Sequence, residues 1–301
     1  MSFCKEDIYF WPIVKLIPTK LFLRLHYRIS CKTRLNLKNP KGFNEKLQWL
    51  KIYDQNPRYV DLVDKIKAKE IVGDIIGKEH IIPNLGEWNR FEDIDFDTLP
   101  DQFVLKCSHD SGGLAVCRDK SKFDIDKARQ IINKSLKRNF YYLGREWPYK
   151  GVRPRILAEK FMTESASLED DIGKSTVEIG LTDYKFYCFN GVPKFLYISK
   201  GLEDHTTALM TFVTMDWKIA PFQRTDFAGF KELPKKPEHY DEMVEYATKL
   251  SEGIPFVRVD LYEIQNTVYF SEMTFSPSSG YALFSPGEWE NTIGEWLKLP
   301  N

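Results

Sequence analysis

The chain has 301 residues, of which 43% are hydrophobic, and its 43 lysines and arginines are balanced by 43 aspartates and glutamates. This length allows a large core and predicts one multi-lobed enzyme or two small domains. The balanced charge argues against a nucleic-acid binder, which needs a basic excess to neutralise phosphates. No apolar run reaches the length of a membrane span, the N-terminus lacks the order of a signal peptide, and the five cysteines show no metal-site spacing. We therefore expect a cytoplasmic protein with reduced thiols.

The segment from Ile8 to Ile29 mixes aromatic and aliphatic side chains with basic ones. This composition suits an amphipathic helix that makes peripheral contact with an anionic membrane surface. It also suits a segment that packs on its own domain, which we favour. Pro12 and Pro18 interrupt any single long helix here.

Further along the chain, the spacing of apolar residues predicts an alternation of helices and strands. Helices are predicted over residues 44–50, 59–76, 125–138, 238–251 and 288–297. Strands are predicted over residues 81–83, 103–107, 114–117, 155–161, 177–189, 194–199 and 209–215, with a hairpin of 257–262 and 269–274. Elements in this order, with many hairpins, indicate an α+β fold rather than a regular βαβ ladder.

The hairpin carries the most informative pattern in the sequence. A turn centred on Asn266, which tolerates a left-handed backbone, places Asp260 opposite Glu272 and Arg258 opposite Thr274, with all four on one face. Two facing carboxylates repel each other unless a cation lies between them. Mg²⁺ prefers such oxygen ligands. Pairing with Arg258 and nearby lysines would offset the repulsion equally well, and the pattern alone leaves both interpretations open.

Charged residues also stand at the ends of apolar strands. Lys106 ends one strand immediately before the loop 108–113, whose glycines allow backbone N–H groups to approach an anion. Glu159 and Lys160 end another strand in the same way. Lysine is rarely enclosed in a buried sheet without a partner, so these positions indicate binding of an anion.

A third such strand carries Asp183 and Lys185, which share one face because they are two residues apart. We expect Lys185 to converge with Lys106 and Lys160 on one polyanion, whose metal ion the acidic pair of the hairpin would hold.

Several ordered motifs together resemble the TupA-like ATP-grasp proteins of bacterial surface-polymer biosynthesis. The segments that carry the resemblance are residues 35–40, 43–49, 64–65, 99–109, 183–191, 258–262 and 272–275. It extends from about residue 33 to residue 300. The resemblance implies an ATP-grasp fold, with two α+β lobes closing over ATP after a helical N-terminal region. Its expected divisions are residues 1–98, a central lid lobe of 99–161, and a C-terminal lobe of 162–301 with the metal site.

The resemblance also implies roles for particular residues. Catalytic roles would fall to Arg258, Lys185 and Lys106, and Mg²⁺ ligation to Asp260, Glu272 and Thr274. Contacts to ATP would come from Lys106, Ser108, His109, Ser111, Gly112, Gly113, Glu159, Lys160, Phe161, Asp183 and Lys185. For His109 we favour a structural bond to the loop backbone over a part in the chemistry.

Three positions depart from the family pattern. Thr274 stands where many ATP-grasp enzymes have asparagine, and Lys69 and Lys200 stand where this family usually has arginine. These departures bear on the metal ligand and on the contact to the γ-phosphate.

The implied activity is that of an ATP- and Mg²⁺-dependent carboxylate–amine ligase that acts through an acyl phosphate. It would attach an amino acid or amine to a uronic acid or glutamyl carboxylate in capsule or surface polysaccharide biosynthesis, with no nucleic-acid partner. The alternatives are a glycosyltransferase, a kinase on the same fold, and a nucleotide-binding module without turnover. The Asp-x-Asp cue of a glycosyltransferase occurs at 93–95, 95–97 and 124–126, which we interpret as caps or turns.

Overall fold

The computed structural model describes residues 5–164, 181–201 and 208–300. These residues form two compact units. Unit 1 comprises the described residues of Met1–Lys38, Leu47–Ile71 and Ile82–Phe161, and unit 2 comprises those of Asn39–Lys46, Val72–Ile81 and Met162–Asn301. The three-part division expected from the sequence stays a prediction.

The described residues include nine α-helices, seven before residue 156 and two after residue 214. They are α1 (Pro12–Lys15), α2 (Thr19–Cys31), α3 (Phe43–Tyr53), α4 (Arg58–Val63), α5 (Lys65–Ile76), α6 (Ile125–Leu136), α7 (Tyr141–Gly144), α8 (Tyr240–Ser251) and α9 (Trp289–Trp296). In the part of the chain that the structure describes, no helix has both the length and the apolarity needed to cross a bilayer.

The strands form two antiparallel sheets. They are β1 (Asn84–Trp88), β2 (Phe103–Cys107), β3 (Leu114–Cys117), β4 (Ile156–Lys160), β5 (Asp183–Phe189), β6 (Val192–Lys200), β7 (Leu209–Thr214), β8 (Phe256–Ile264) and β9 (Thr267–Thr274). Unit 1 contains the sheet β1-β4-β2-β3, and unit 2 contains the sheet β7-β6-β5-β8-β9. Antiparallel sheets with helices confirm the predicted α+β class, and α1 and α2 confirm the helical N-terminal region.

The core of unit 1 lies between its sheet and α6. Phe103, Leu105 and Ile156 of the sheet are buried with Ile132 of α6. Helix α6 begins where the side chain of Asp124 accepts a hydrogen bond from the backbone of Lys127, an N-cap that satisfies one of the first free N–H groups. The packing of this sheet on α6 holds the ends of β2 and β4, which carry Lys106 and Lys160.

The core of unit 2 is unusually aromatic. Phe43, Phe189 and Phe256 pack with ring centroids 4.9–5.7 Å apart, and α8 covers β5, β6 and β8. Strand β8 lies between β5 and β9 in the sheet, and its residues are buried on both faces for most of its length. The half-buried alternation expected for this strand is therefore wrong, and the charged residues of β8 lie in an enclosed environment.

Two elements differ from the sequence prediction. The helix expected over 59–76 is broken at Asp64, which is extended (φ −70°, ψ 109°) and whose Oδ1 accepts a hydrogen bond from the backbone of Ile66 to start α5. The strand expected over 81–83 is instead an isolated bridge at Ile81, and β1 begins after Pro83, which has no N–H to donate. Residues 177–180 of the strand expected over 177–189 lie outside the described residues.

Candidate functional site

The hairpin of β8 and β9 has the register that the sequence predicts at its charged end. The turn consists of Gln265 and Asn266 alone, both left-handed with φ of 50° and 60°. A two-residue turn by itself would put the strands one residue out of the predicted register. The extra residue is Ser271, which forms a bulge and restores the pairing of Asp260 with Glu272 and of Arg258 with Thr274.

The Arg258 guanidinium links all the polar groups of this face. Its Nε donates to Asp260 Oδ1 at 2.7 Å, and its Nη2 donates to Asp260 Oδ2 at 2.6 Å. The same Nη2 reaches Glu272 Oε1 at 3.1 Å and Thr274 Oγ1 at 3.0 Å. The facing carboxylates are therefore bridged by an arginine of the same hairpin, which is the second of the two sequence interpretations.

A neighbouring strand supplies a second cation. Lys185 of β5 pairs in register with Asp260, and its Nζ lies 2.7 Å from Asp260 Oδ2 and 2.9 Å from Asp183 Oδ1. Burial lowers the pKa of Lys185, but the charges of Asp183 and Asp260 outweigh it and raise that pKa well above its ordinary value. Burial raises the pKa of Asp260, and the charges of Arg258 and Lys185 oppose this rise. Lys185 is thus a cation held against two carboxylates.

The oxygen donors of this cluster suit Mg²⁺ in kind. Glu272 and Thr274 are partly exposed, whereas Asp260 is fully buried and both of its oxygens contact cations. Across the residues that the structure describes, no three His, Cys, Asp or Glu side chains are grouped as a metal site. Mg²⁺ commonly uses one or two protein carboxylates and takes its other ligands from phosphates and water. Partly exposed Glu272 and Thr274 meet that smaller requirement. Asp260 would join them only by exchanging a contact with Arg258 or Lys185 for the metal ion.

A second charged cluster lies in unit 1, around Glu159. Val104 of β2 pairs with Glu159 of β4, so Lys106 is the diagonal neighbour of Glu159 on the same face. Lys106 Nζ lies 2.5 Å from Glu159 Oε2, and Nζ of Lys69, from α5, lies 2.5 Å from Oε1. Burial alone would raise the pKa of Glu159, but the charges of Lys106 and Lys69 outweigh it and lower the pKa to about 2. Glu159 is therefore a buried anion between two lysines.

Lys160 does not join this cluster. It follows Glu159 directly on β4, and neighbouring residues on a strand project from opposite faces. Lys160 is exposed, and the next residue, Phe161, lies with its ring centre 5.8 Å from the guanidinium of Arg118. The expected convergence of Lys106 and Lys160 is thus wrong, since alternation puts them on different faces of the sheet.

The sequence does not predict two residues that contact these charged clusters. Lys69 stands out in the sequence only as a departure from the family pattern. Its contact with Glu159 depends on where α5 packs, which no local pattern reveals. Tyr197 of β6 lies with its ring centre 5.6 Å from Arg258 Cζ. The alternation of aromatic residues along β6 was the available signal for Tyr197.

The loop of residues 108–113 is more firmly held than expected for a phosphate lid. Ser108, His109 and Asp110 are buried, and solvent reaches mainly Ser111 and Gly112. His109 Nε2 lies 3.1 Å from the carbonyl oxygens of Ser135 and Arg138, at the end of α6. His109 thus has structural hydrogen-bond contacts, but they tie the loop to the end of α6 rather than, as expected from the sequence, to the backbone of the loop itself.

Gly113 closes the loop against α6. A Cβ at this position would lie 2.6 Å from Cys107 Sγ and from Ser135 Oγ, so only glycine fits. Its N–H donates to Asp110 Oδ1 at 3.1 Å. Gly113 therefore allows the loop to pack closely against α6. Of the two loop glycines, Gly112 has open space beside it.

The Asp-x-Asp segments have local structural roles. Asp95 accepts a hydrogen bond from the backbone of Asp97 at 3.1 Å, and Asp124 caps α6. Asp93 pairs with exposed Arg90, with Arg90 Nη2 2.6 Å from Asp93 Oδ1. These contacts confirm their interpretation as caps and turns.

The family model described as TupA-like ATPgrasp matches residues 45–298. No curated protein matches the chain.

Several solved structures are similar to the chain at low sequence identity. D-alanine–D-alanine ligase from Helicobacter pylori is 17% identical over 85% of this chain and 69% of its own, with a TM-score of 0.42. The enzyme of that name from Bacillus anthracis, complexed with ATP, is 13% identical over 71% and 53%, with a TM-score of 0.38. The ATP-grasp ligase PsnB, complexed with a phosphomimetic variant of minimal precursor, Mg and ADP, is 11% identical over 84% and 65%, with a TM-score of 0.42. The chain thus spans 53–69% of the length of these three structures.

Proposed function

Because the chain belongs to the TupA-like ATP-grasp family, a class of ATP-dependent ligases, we propose that it joins a carboxylate to an amine through an acyl phosphate. The γ-phosphoryl group of ATP passes to a carboxylate oxygen and ADP leaves. The amine nitrogen then attacks the acyl carbon, loses a proton, and releases inorganic phosphate, so that an amide remains. This chemistry requires cations around two anions rather than a protein nucleophile.

The observation that carries the proposal is the buried cluster on β5, β8 and β9. Arg258 and Lys185 are held as cations by Asp260, and the pairing of Asp260 with Glu272 brings two hard carboxylates together. We assign Arg258 and Lys185 to the stabilisation of the transferring phosphoryl group. Asp260, Glu272 and Thr274 would hold Mg²⁺, which when bound supplies further positive charge for the phosphates.

The lysines of unit 1 support a contact with nucleotide phosphates. Lys106 has its Nζ fixed by contact with Glu159, and its side chain is 28% exposed, so solvent reaches part of this lysine. The ion pairs with Glu159 restrict the motion of the Lys106 and Lys69 side chains and leave both of them positively charged. We propose that Lys106 binds a phosphate of ATP and that Lys69, rather than Lys160, is the second lysine that contacts the nucleotide. Ser111 and Gly112 would offer backbone N–H groups to the phosphates.

The acceptor class rests on the family alone. We propose a uronic acid or glutamyl carboxylate and an amino acid or amine donor, in the assembly of a capsule or surface polysaccharide in the cytoplasm. A kinase on this fold and a glycosyltransferase remain the competing activities, and the capping contacts of the Asp-x-Asp segments speak against the second.

The test incubates the protein with Mg·ATP, candidate uronate or glutamyl acceptors, and a pool of amino acids. A ligase yields ADP, phosphate and a product whose mass equals acceptor plus amine minus water. ADP with a stable phosphoester and no phosphate indicates a kinase, and UDP release from a sugar nucleotide indicates a glycosyltransferase.

Two variants test the acidic pair. Asp260→Asn and Glu272→Gln should abolish turnover, and Glu272→Gln is the safer variant because Glu272 is partly exposed. Glu263→Gln is the matched control, since Glu263 also lies on β8 but pairs with His239 at 2.9 Å. Retained Mg²⁺-dependent turnover in both acidic variants would refute the metal assignment.

A further inference from the structure

The N-terminal segment carries a charge asymmetry that the whole chain lacks. From Ile8 to Asn44 there are eight lysines and arginines and no aspartate or glutamate, although the complete chain has 43 residues of each sign. All eight basic residues of this segment are exposed, namely Lys15, Lys20, Arg24, Arg28, Lys32, Arg34, Lys38 and Lys41. The basic excess is therefore local, and it lies on and beside α2.

One side of this segment is anchored to the rest of unit 1. Arg145 is fully buried, and its Nη2 donates to the carbonyl oxygens of Val14 at 2.7 Å and Ile17 at 3.3 Å. The guanidinium of Arg145 also lies 4.6 Å from the ring centre of Phe22, on the buried side of α2. Thr19 Oγ1 lies 2.8 Å from the hydroxyl of Tyr141. The packing expected from the sequence thus exists, but it uses one face only.

The opposite side of α2 exposes large apolar side chains in a row. Leu21, Leu25 and Ile29 follow one another at intervals of four residues, so they form one stripe, and they are 49%, 51% and 67% exposed. Arg24 and Arg28 form a parallel basic stripe beside it, because each precedes a member of the apolar stripe by one residue.

Two further large apolar side chains are exposed just before α2 in the chain. Ile13 in α1 and Leu16 just after it are 71% and 82% exposed, and α1 has no buried residue. Soluble surfaces expose single large apolar side chains routinely, but a contiguous group marks an interaction site. The group formed by Leu21, Leu25 and Ile29 on one face of α2 is such a group, and we name it the apolar stripe.

We propose that the apolar stripe and its arginines lie on an anionic lipid bilayer, which places this protein at the membrane surface. An interfacial helix buries its apolar side chains at the headgroup boundary while flanking lysines and arginines bind anionic headgroups. The complete lack of acidic residues in this stretch matches a negative surface. A second copy of this chain fits poorly, because mutual contact would bring the arginine stripes of two molecules together.

The test measures binding of the full chain to vesicles of phosphatidylcholine alone and of phosphatidylcholine mixed with phosphatidylglycerol, by flotation. We expect binding to the anionic vesicles only, and weaker binding as salt is added. Arg24→Gln with Arg28→Gln should lower the partition coefficient by roughly thirtyfold, since each basic residue contributes about fivefold. Leu25→Gln with Ile29→Gln should lower it by roughly tenfold.

The matched control replaces two exposed apolar residues of unit 2, Val192→Gln with Ile219→Gln, which should leave binding unchanged. All the variants change exposed positions, so their unfolding midpoints should match that of the parent protein. Equal binding of every variant, equal binding to neutral vesicles, or no binding at all would overturn the proposal. The proposal would also be overturned if the parent protein were a dimer and the variant with Leu25→Gln and Ile29→Gln were a monomer, because a second copy of the chain would then cover the apolar stripe.

Discussion

Replacing Glu159 by glutamine tests the ion cluster of unit 1 most directly. The substitution keeps the size of the side chain but removes the anion that Lys106 and Lys69 share at 2.5 Å each. Lys69 is nearly enclosed, and burial lowers its pKa although Glu159 opposes this. The variant therefore leaves a buried lysine without its charged partner, which is among the costly changes in a protein.

The pKa of Glu159 sets the size and pH dependence of the effect. Its fall from 4.5 to about 2 corresponds to about 3 kcal/mol of stability at neutral pH, because each unit is worth about 1.4 kcal/mol. A carboxylate with a lowered pKa stabilises the fold above its unfolded pKa and loses that contribution as the pH falls through the folded value. The decrease in the free energy of unfolding caused by Glu159→Gln should thus reach its full size above about pH 5.5 and be less than half as large at about pH 3.

Hydrogen exchange of peptides that cover β2 and β4 reports on this unit, and urea unfolding followed by circular dichroism reports on the chain. Both should show the loss at neutral pH and its decline in acid. Asp93→Asn is the control, since Asp93 pairs with Arg90 on the exposed surface, where ion pairs contribute little. A difference below about 1 kcal/mol, or one that stays constant with pH, would refute the reasoning.

Three smaller changes test other parts of the molecule. Lys106→Ala should raise the ATP dissociation constant by roughly tenfold to a hundredfold, and an unchanged constant in calorimetry would contradict its role. Burial raises the pKa of the Cys107 and Cys188 thiols to about 12, so rapid labelling of either in the native protein would contradict the structure. Gln265→Asn with Asn266→Gly should add roughly 0.5–1 kcal/mol to the free energy of unfolding; an unchanged urea midpoint would count against the left-handed turn.

The features that the sequence predicted well are local in the chain. The sequence predicts that Asp260 and Glu272 face each other across a hairpin with a short turn, although the pairing is reached through the bulge at Ser271, which the sequence does not predict. The caps formed by Asp124 and Asp95 need only the next few residues. The family was identifiable because its motifs occur in order over most of the chain. These signals do not depend on how distant elements pack.

The features that the sequence did not predict depend on distant contacts. Lys69 and Glu159 are 90 residues apart, and their contact requires α5 to pack against the sheet. Strand β1 has a glycine in its interior and few residues typical of strands, and it exists because β4 pairs with it. The face on which Lys160 lies became evident only from the register of β4.

The bulge at Ser271 decides which residue of β9 stands opposite Asp260. Leu261 pairs with Phe270 on the turn side of the bulge, so an unbulged ladder of the same length would place Ser271 opposite Asp260. Any change that flattened the bulge without removing a residue would therefore turn Glu272 and Thr274 to the far side of the ribbon, because consecutive side chains point in opposite directions. Deleting Ser271 would instead keep Glu272 opposite Asp260, since the two-residue turn alone would then set that pairing.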